Sequence, residues 1–288
     1  MEIERIAVVG GAGLMGSGIS QVVAQAGFQV TMVDVDDAAL ERGLARIDRS
    51  LERLVNRGTV TSDEAGATRS RLATGTDLEG AAATADHVIE SVVEVEPVKA
   101  EVLGRLDRVC RPEVVFASNT SQIAISKLAA TTTRPDRVIG SHWFNPPPVM
   151  NLIELIRGVE TSDETLQTAL DLAHRYGKET IVCNKDTQGF ITSRLIVMLM
   201  VEAARIVEEG IASVEDVNKA CVLGFSHAMG PLDTADLSGL DTVERVADGL
   251  VKNFGDRFLP PQTLRALVHA GHFGRKTGRG FRVYDETT

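Results

Sequence analysis

The feature that most constrains this chain is a glycine-rich turn at residues 10–16, which lies between segments of different hydrophobic pattern. A β-branched apolar run at residues 3–9 precedes it and predicts a buried strand, whereas the apolar residues that follow have helical spacing. Gly11, Gly13 and Gly16 have the spacing at which a strand turns directly into a helix and a phosphate approaches the backbone. The sequence therefore predicts the first βα unit of a dinucleotide-binding sheet.

The end of the next predicted strand indicates which dinucleotide fits. Residues 28–35, FQVTMVDV, predict this strand, and Asp34 at its end would bind ribose hydroxyls. Asp34 would repel a 2′-phosphate, and residues 35–37 offer no arginine to hold one, so NAD(H) is favoured over NADP(H). The predicted cofactor contacts here are Gly11, Gly13, Leu14, Met15, Gly16 and Asp34. A purely structural glycine turn, a degenerate site and a site for another nucleotide are the alternatives.

Strand and helix patterns alternate along the first two thirds of the chain. Further strands are predicted at 86–93, 114–120, 137–144, 151–156 and 180–184, and helices at 36–56, 97–109 and 162–176. Thr61 with Glu64, and Thr161 with Glu164, have the spacing of capping boxes at helix starts. Strands that alternate with long helices pair in parallel through helical crossovers, so the predicted fold class is α/β with a doubly wound sheet.

The pattern changes near Lys185. No strand is predicted from Gln188 to the extreme C-terminus, and residues 190–210 predict a long, apolar-rich helix. Further helices are predicted at 213–223, 234–254 and 261–270. We therefore expect two domains, an α/β domain over residues 1–185 and an all-helical domain over residues 186–288.

Composition excludes several classes of function. The formal net charge of −10 argues against general nucleic-acid affinity. No apolar run approaches the roughly 20 residues of a membrane span, and the N-terminus lacks the pattern of a secretion signal, so we expect a cytoplasmic protein without membrane attachment. Three widely separated cysteines, Cys110, Cys183 and Cys221, predict reduced thiols rather than disulfides or a metal site.

One of the six histidines, His142, ends a predicted strand, and ligands bind at such strand ends in open α/β sheets. Histidine is the usual general base for removing a hydroxyl proton, and Glu154 could orient its ring if the chain doubles back. Prolines at 146–148 predict an extended, rigid turn that would make the flanking strands neighbours. From the residues alone, a catalytic pair and an ordinary histidine have about equal support.

Five separated motifs together give a more specific indication. GAGLMGSGISQVVAQAG, SNTS, HWFNPPPVMNLIEL, MGPLDTADLSGLD and GRKTGRGF resemble, in order and over residues 3–284, the L-3-hydroxyacyl-CoA dehydrogenases, particularly the short bacterial 3-hydroxybutyryl-CoA dehydrogenases. The resemblance implies a Rossmann-type domain, an all-helical C-terminal domain that mediates homodimerisation, and a substrate cleft between them. It also implies reversible NAD-dependent oxidation of an (S)-3-hydroxyacyl-CoA, with short acyl chains favoured.

The resemblance also assigns roles to individual residues. It implies that His142 is the catalytic base, that Glu154 is its paired acid, and that Ser121 lies near the substrate oxygen and the nicotinamide. The implied cofactor-binding residues outside the glycine turn are Glu94, Lys99, Asn145 and Lys276. The implied substrate contacts are Ser50, Arg57, Ser121, Asn145 and Ser193. For Ser50 and Arg57, an ordinary exposed helix face is an equally supported interpretation.

One position departs from the family pattern. Ser193 stands where relatives have an asparagine that reaches the active site, which puts its role and the acyl-chain preference in doubt. The same chemistry on a carrier-protein thioester or a free 3-hydroxy acid is the alternative activity. A dinucleotide-binding protein with a structural or sensory role is the alternative from another class, and the joint presence of His142, Glu154, Ser121 and Asn145 weighs against it.

Overall fold

The first of the two units into which the chain divides is built on an eight-stranded sheet. The computed structural model describes residues 2–284, and its units are Met1–Thr187 and Gln188–Thr288. The strands are β1 Arg5–Val9, β2 Gln29–Val33, β3 Leu72–Gly75, β4 His87–Glu90, β5 Val115–Ser118, β6 Val138–Trp143, β7 Leu152–Arg157 and β8 Glu179–Cys183. They lie in the order β3-β2-β1-β4-β5-β6-β7-β8, and every neighbouring pair is parallel except β6 with β7.

Seven helices connect these strands. They are α1 Leu14–Gln25, α2 Asp37–Asn56, α3 Ser62–Ser70, α4 Leu78–Ala83, α5 Glu96–Val109, α6 Ile125–Ala129 and α7 Asp163–Arg175. The strand order runs outward in both directions from the β1–β4 neighbours, so the carboxyl ends of these two strands form the switch point of a doubly wound sheet. The predicted α/β fold class is confirmed, and the edge where ligands bind in such sheets is defined.

The side chains that start the helices show one correct prediction and one error. Thr61 and Glu64 form the predicted capping box at the start of α3. The predicted box at Thr161 is wrong, because the side chain of Ser162 caps α7 instead. The Thr161 hydroxyl oxygen accepts a hydrogen bond from Gly158 N at 2.8 Å, and its hydrogen is donated to the Val138 carbonyl at 2.7 Å, so this hydroxyl is used outside the helix start.

Apolar runs place the central strands in the core on both faces of the sheet, as parallel strands covered by helices require. In β1, for example, Ile6, Val8 and Val9 are all buried. Aromatic rings also pack in this core: the ring centroids of Trp143, in β6, and Tyr176 are 5.7 Å apart. The strand that carries His142 is therefore held by buried packing up to its last residue.

The turn between β6 and β7 differs from its prediction. It is compact rather than extended, since Val149 N and Met150 N donate to the Pro146 carbonyl at 3.0 and 3.1 Å. The Asn145–Pro146 peptide bond is cis. The predicted pairing of the flanking strands is confirmed, because β6 and β7 are antiparallel neighbours.

The second unit contains five α-helices in the part that the structure describes. They are α8 Thr192–Glu208, α9 Val214–Lys219, α10 Pro231–Ser238, α11 Leu240–Phe254 and α12 Gln262–His269. A π-helical segment, residues 220–224, extends α9. Two buried apolar clusters hold these helices together, one around Met200 and Leu232 and the other around Val201 and Leu250.

One predicted helix of this unit is divided into two helices in the structure. Residues 234–254 were expected to be continuous, but Gly239 has a φ of 92°, outside the helical region, and separates α10 from α11. Up to Tyr284, this unit has isolated β-bridges at Gly274, Arg279 and Val283 but no strand. Within residues 2–284, no helix has both the length and the apolar character needed to cross a membrane.

Candidate active site

The glycine-rich turn is held against the end of β2 by its own backbone and by Asp34. Gly10 N and Gly11 N donate to the Val33 carbonyl at 2.9 and 3.0 Å, and Ala12 N donates to Asp34 Oδ2 at 2.9 Å. A Cβ on Gly16 would lie 2.0 Å from the Gly10 carbonyl oxygen, so only glycine permits α1 to start this close to the turn. The carboxylate predicted to bind ribose therefore lies directly beside the predicted phosphate cradle.

The start of α1 fits an anionic group. Its N-cap residue, Gly13, supplies no side-chain hydrogen bond, and its first turn holds no acidic residue. The first N–H groups of a helix lack partners within the helix and lie at its positive end, where a phosphate is stabilised. Leu14 is exposed and Met15 is partly buried, so these residues border an accessible surface. The arrangement fits the pyrophosphate of NAD.

A fully buried ion pair supports the ends of β4 and β5. Lys99 Nζ lies 2.8 Å from Glu90 Oε1 and 3.4 Å from Glu94 Oε2, and the side chains of Lys99 and Glu90 are 0% exposed. Ser118 donates to the second oxygen of Glu90 at 2.5 Å. Lys99 is enclosed and lies behind Glu94, and a contact of Lys99 with the cofactor stays a prediction from the family resemblance.

Glu94 in turn holds the loop that carries Ser121. Its Oε1 atom accepts hydrogen bonds from Thr120 Oγ1 at 2.6 Å, Ser121 N at 2.8 Å and Gln122 N at 3.2 Å. The Ser121 hydroxyl lies 3.3 Å from the same oxygen. The loop after β5 is therefore fixed by one carboxylate, whose position depends on the buried lysine beneath it.

His142 and Glu154 lie opposite each other in the β6–β7 ladder. His142 Nδ1 is 3.0 Å from Glu154 Oε2, with the imidazole side chain 12% exposed and the carboxylate side chain 0% exposed. An ionised carboxylate only accepts hydrogen bonds, so Nδ1 carries the ring proton and Nε2 of a neutral ring is the basic nitrogen. The ring of Phe144 lies 4.6 Å from the imidazole and limits its movement. This geometry suits a general base.

Two residues that hold the loops and strand ends of the candidate site together were missed at the sequence level. Asn119 accepts from Trp143 N at 3.0 Å and donates to Ser91 Oγ at 3.0 Å, so it ties the end of β6 to the loops after β4 and β5. Glu90 anchors Lys99, as described above. The signals that could have found them were a carboxylate inside an apolar strand pattern and an asparagine in the polar run that follows a strand.

The two predicted substrate residues of α2 share no hydrogen bond with this group within residues 2–284. Ser50 is partly buried in α2, and Arg57 is the exposed C-cap residue of the same helix. Neither side chain makes a hydrogen bond or an ion pair within residues 2–284. Seven residues apart on one helix, they lie about two turns from each other on the same face. Asn145 is exposed at the start of the proline-containing turn.

The remaining predicted residues belong to the second unit. Lys276 Nζ lies 2.6 and 2.7 Å from the two carboxylate oxygens of Asp241. Burial acts to raise the pKa of Asp241, but hydrogen bonding to Lys276 and the charge of that ammonium outweigh it, so the pKa is lowered. Ser193 is partly buried in the first turn of α8.

Residues 2–284 contain neither a candidate metal-binding cluster nor an exposed cysteine. Residues 2–284 contain no cluster of three His, Cys, Asp or Glu side chains that could hold a metal ion. Cys110, Cys183 and Cys221 are free and buried. Burial raises the pKa of the Cys110 thiol to about 11, so it stays protonated at neutral pH.

Two family models match the chain. The model described as 3-hydroxyacyl-CoA dehydrogenase, NAD binding domain, matches residues 5–187. The model described as 3-hydroxyacyl-CoA dehydrogenase, C-terminal domain, matches residues 189–284. Together they cover nearly the whole sequence.

Individual proteins are similar over their full lengths. A probable 3-hydroxybutyryl-CoA dehydrogenase of Bacillus subtilis is 44% identical over 289 residues, which cover 100% of both chains. A 3-hydroxybutyryl-CoA dehydrogenase of Mycobacterium tuberculosis is 45% identical over 98% of this chain and 99% of its own. The crystal structure of (S)-3-hydroxybutyryl-CoA dehydrogenase from Ralstonia eutropha superposes with a TM-score of 0.94 at 41% identity, covering 99% of this chain and 100% of that one.

Proposed function

The chain belongs to the 3-hydroxyacyl-CoA dehydrogenase family, and we propose that the residues gathered where β4, β5 and β6 end and β7 begins perform the reaction of that family. The protein is an NAD-dependent oxidoreductase that converts an (S)-3-hydroxyacyl-CoA to a 3-oxoacyl-CoA, reversibly. The observation that carries the assignment of residues is the 3.0 Å contact between His142 and Glu154.

His142 acts as the general base in the oxidative direction. NAD, when bound, accepts the hydride that leaves C3 of the hydroxyacyl group. Nε2 of His142 takes the hydroxyl proton at the same stage, and it returns this proton in the reductive direction. A positioned base of this kind contributes roughly 10²–10⁴-fold to a rate.

Glu154 fixes the histidine for that task. Its carboxylate accepts the Nδ1 proton and so selects the ring tautomer in which Nε2 is basic. When Nε2 takes up a proton, the buried negative charge stabilises the imidazolium that forms, because the two groups interact in a low-dielectric setting. Glu154 therefore serves both orientation and charge.

Ser121 would hold the reacting oxygen of the substrate. Its loop is fixed by Glu94, which binds the Ser121 amide at 2.8 Å, so the hydroxyl is presented from a rigid backbone. Glu94 and Lys99 are also proposed contacts of NAD, and Lys99 Nζ lies 3.4 Å from Glu94 Oε2, where it helps to position that carboxylate. Asn145, exposed at the start of the turn after β6, is proposed to contact the nicotinamide and the substrate.

The remaining assignments extend this proposal. The glycine turn and Asp34 bind the pyrophosphate and the ribose, and Ser50 and Arg57 are proposed to meet the CoA moiety. The contacts of Lys276 with the cofactor and of Ser193 with the substrate stay predictions from the family resemblance. The relatives named above support a four-carbon substrate, 3-hydroxybutyryl-CoA. A cytoplasmic homodimer is proposed on the same resemblance.

Replacement of His142 by glutamine tests the catalytic assignment. The variant keeps a polar side chain of similar size but has no basic nitrogen, so turnover of acetoacetyl-CoA with NADH should fall at least about 100-fold while the protein remains folded. The measurement is steady-state NADH oxidation, with circular dichroism as the check on folding. His174→Gln is the matched control, because His174 is exposed on α7. Near-normal turnover in the His142 variant would refute the assignment.

A substrate series separates the alternatives for the acyl carrier. NADH oxidation is measured with 3-oxoacyl-CoAs of increasing chain length, with a carrier-protein thioester and with a free 3-oxo acid. The proposal expects the highest kcat/KM with acetoacetyl-CoA. A higher value with the carrier-protein thioester or the free acid would assign the chemistry to that substrate class instead.

A further inference from the structure

The turn that joins β6 to β7 lies next to the reacting groups on both sides. We refer to residues 146–150 as the proline turn. It begins directly after Asn145, and it sets the register in which His142 meets Glu154 across the ladder. Its own hydrogen bonds run from Val149 N and Met150 N to the Pro146 carbonyl. Those two bonds leave other carbonyls of the turn to be satisfied from outside.

Lys178 satisfies two of them. Its Nζ donates to the Pro147 carbonyl at 2.9 Å and to the Met150 carbonyl at 2.7 Å. The residue is 9% exposed, and within residues 2–284 it forms no ion pair with a carboxylate. Burial lowers the pKa of this ammonium. A buried cation without an anionic partner is costly, so these two charge-assisted bonds are what stabilise its charge at this place.

The sequence around Lys178 fixes where its side chain starts. Gly177, two residues after the end of α7, lies in the left-handed region at a φ of 70°. Gly177 N donates to the His174 carbonyl and Lys178 N to the Ala173 carbonyl, both at 2.9 Å, which is the pattern of a Schellman helix end. Glu179, the next residue, donates to the Asn151 carbonyl at 2.8 Å and begins β8. The lysine therefore leaves a rigid corner beside the proline turn.

The opposite side of the proline turn packs against the helix of the predicted cofactor cradle. A Cβ on Gly18 of α1 would lie 2.8 Å from Pro147 Cδ and 2.9 Å from Pro147 Cγ. The proline ring is rigid, so any side chain at residue 18 would displace the turn or the helix. The same residue, Pro147, thus contacts α1 through its ring and Lys178 through its carbonyl.

We propose that Gly18 and Lys178 clamp the proline turn between the cofactor-binding helix and the start of β8, and that Lys178 is a positioning residue for the dehydrogenase reaction. This inference rests on the function proposed above for His142, Glu154 and Asn145. Lys178 touches none of the reacting atoms. It acts by holding the backbone on which Asn145 is presented and the strand ends at which His142 and Glu154 face each other.

Replacement of Lys178 by methionine removes the donors and keeps the length of the side chain. We expect kcat for acetoacetyl-CoA reduction to fall at least about tenfold, because small displacements of reacting groups cost large factors in rate. KM for acetoacetyl-CoA should stay within about threefold of the wild-type value, since the binding contacts of the substrate are not removed. Lys178→Arg retains donors and should recover part of the lost kcat. Lys127→Met, at an exposed lysine of α6, is the matched control and should leave kcat unchanged.

Hydrogen exchange measures directly how firmly the proline turn is held. The amides of Val149 and Met150 are protected by the Pro146 carbonyl, so their exchange should be at least about tenfold faster in Lys178→Met than in the wild type. Gly18→Ala should give the same two effects from the other side of the turn. Gly66→Ala in α3 is its control, because a Cβ there meets nothing within 4 Å.

The outcomes separate the clamp from the function on which it rests. A wild-type kcat and unchanged exchange in Lys178→Met would refute the clamp, and so would equal losses in Lys178→Met and Lys127→Met. If Lys178→Met does not fold, Gly18→Ala decides by the same two measurements. If His142→Gln keeps its turnover, the proposed function fails instead, and exchange in the Lys178 variant still reports whether the turn is held.

Discussion

At the scale of single residues, the environment rather than the residue type distinguishes the histidine that is proposed as the base. His142 ends β6 and meets a buried carboxylate, whereas His87 starts β4 and is enclosed in the sheet. Burial alone lowers the pKa of His87 to about 4, and its Nδ1 atom has no hydrogen-bond partner within residues 2–284. One imidazole is oriented for proton transfer, and the other is kept neutral by the core.

The enclosed histidine predicts a dependence of stability on pH. In the folded chain His87 takes up its proton near pH 4 instead of 6.5, so the unfolded state binds more protons between these values. The contribution of neutral His87 to the free energy of unfolding is fully present above about pH 6.5 and is lost as the pH falls to about 4. The total loss is about 3 kcal/mol.

Urea unfolding of the wild type and His87→Leu at pH 7 and at pH 4.5 measures this contribution. The free energy of unfolding should fall less in the variant than in the wild type over that interval. His174→Leu, at an exposed histidine, should follow the wild type. Parallel pH profiles for the wild type and His87→Leu would contradict the prediction.

At the scale of elements, the sequence patterns correctly predicted the structural features that depend on residues close together in the chain. The strand–turn–helix around Gly11 and the pairing of β6 with β7 follow from short-range spacing and from prolines, and both are present. The Thr161 cap failed because the hydroxyl oxygen accepts from Gly158 N and its hydrogen goes to a carbonyl of β6. The burial of Lys99 against Glu90, nine residues earlier in the chain, was not predicted either. Such partners are set by tertiary packing, which spacing does not encode.

The break between α10 and α11 gives a test of backbone strain. Gly239 has a φ of 92°, and a Cβ there would lie 2.8 Å from Asp241 Oδ1 and 2.9 Å from Lys276 Nζ. Gly255, at the end of α11, has a φ of 82°, and a Cβ there would meet nothing within 4 Å, so this position isolates the conformational cost. Gly255→Ala should destabilise the protein by about 1 kcal/mol, and Gly239→Ala by about 2–3 kcal/mol.

Urea unfolding of the two glycine variants under identical conditions measures the difference. Equal destabilisation would show that the collision with the Lys276–Asp241 pair adds nothing to the backbone cost.

At the scale of the whole molecule, both units expose large apolar side chains. Each unit has its own apolar clusters, and the N-terminal unit carries the proposed catalytic pair. Large apolar side chains are exposed in the second unit, among them Leu195, Ile211, Leu223, Phe225 and Leu237. The homodimer proposed from the family resemblance would cover part of such surface, and Phe225 is the largest of these side chains.

Sedimentation equilibrium tests the proposed homodimer. The wild type should have a mass of about twice 30.9 kDa, because two chains associate. Phe225→Asp, at a side chain that is 69% exposed in the isolated chain, should shift the mass toward that of one chain if this surface forms the contact. Val159→Asp, at an exposed valine of the first unit, is the control. A monomeric wild type would contradict the proposal.

The position of Trp143 has a practical consequence. It is the one tryptophan of the sequence, it is 3% exposed, and it follows His142 directly in β6. Excitation at the red edge of protein absorbance therefore reports on a single indole, one residue from the proposed base and packed on Tyr176. The chain carries an intrinsic fluorophore in the strand of the proposed base, so binding of a cofactor that absorbs in the near ultraviolet can be measured optically without a label.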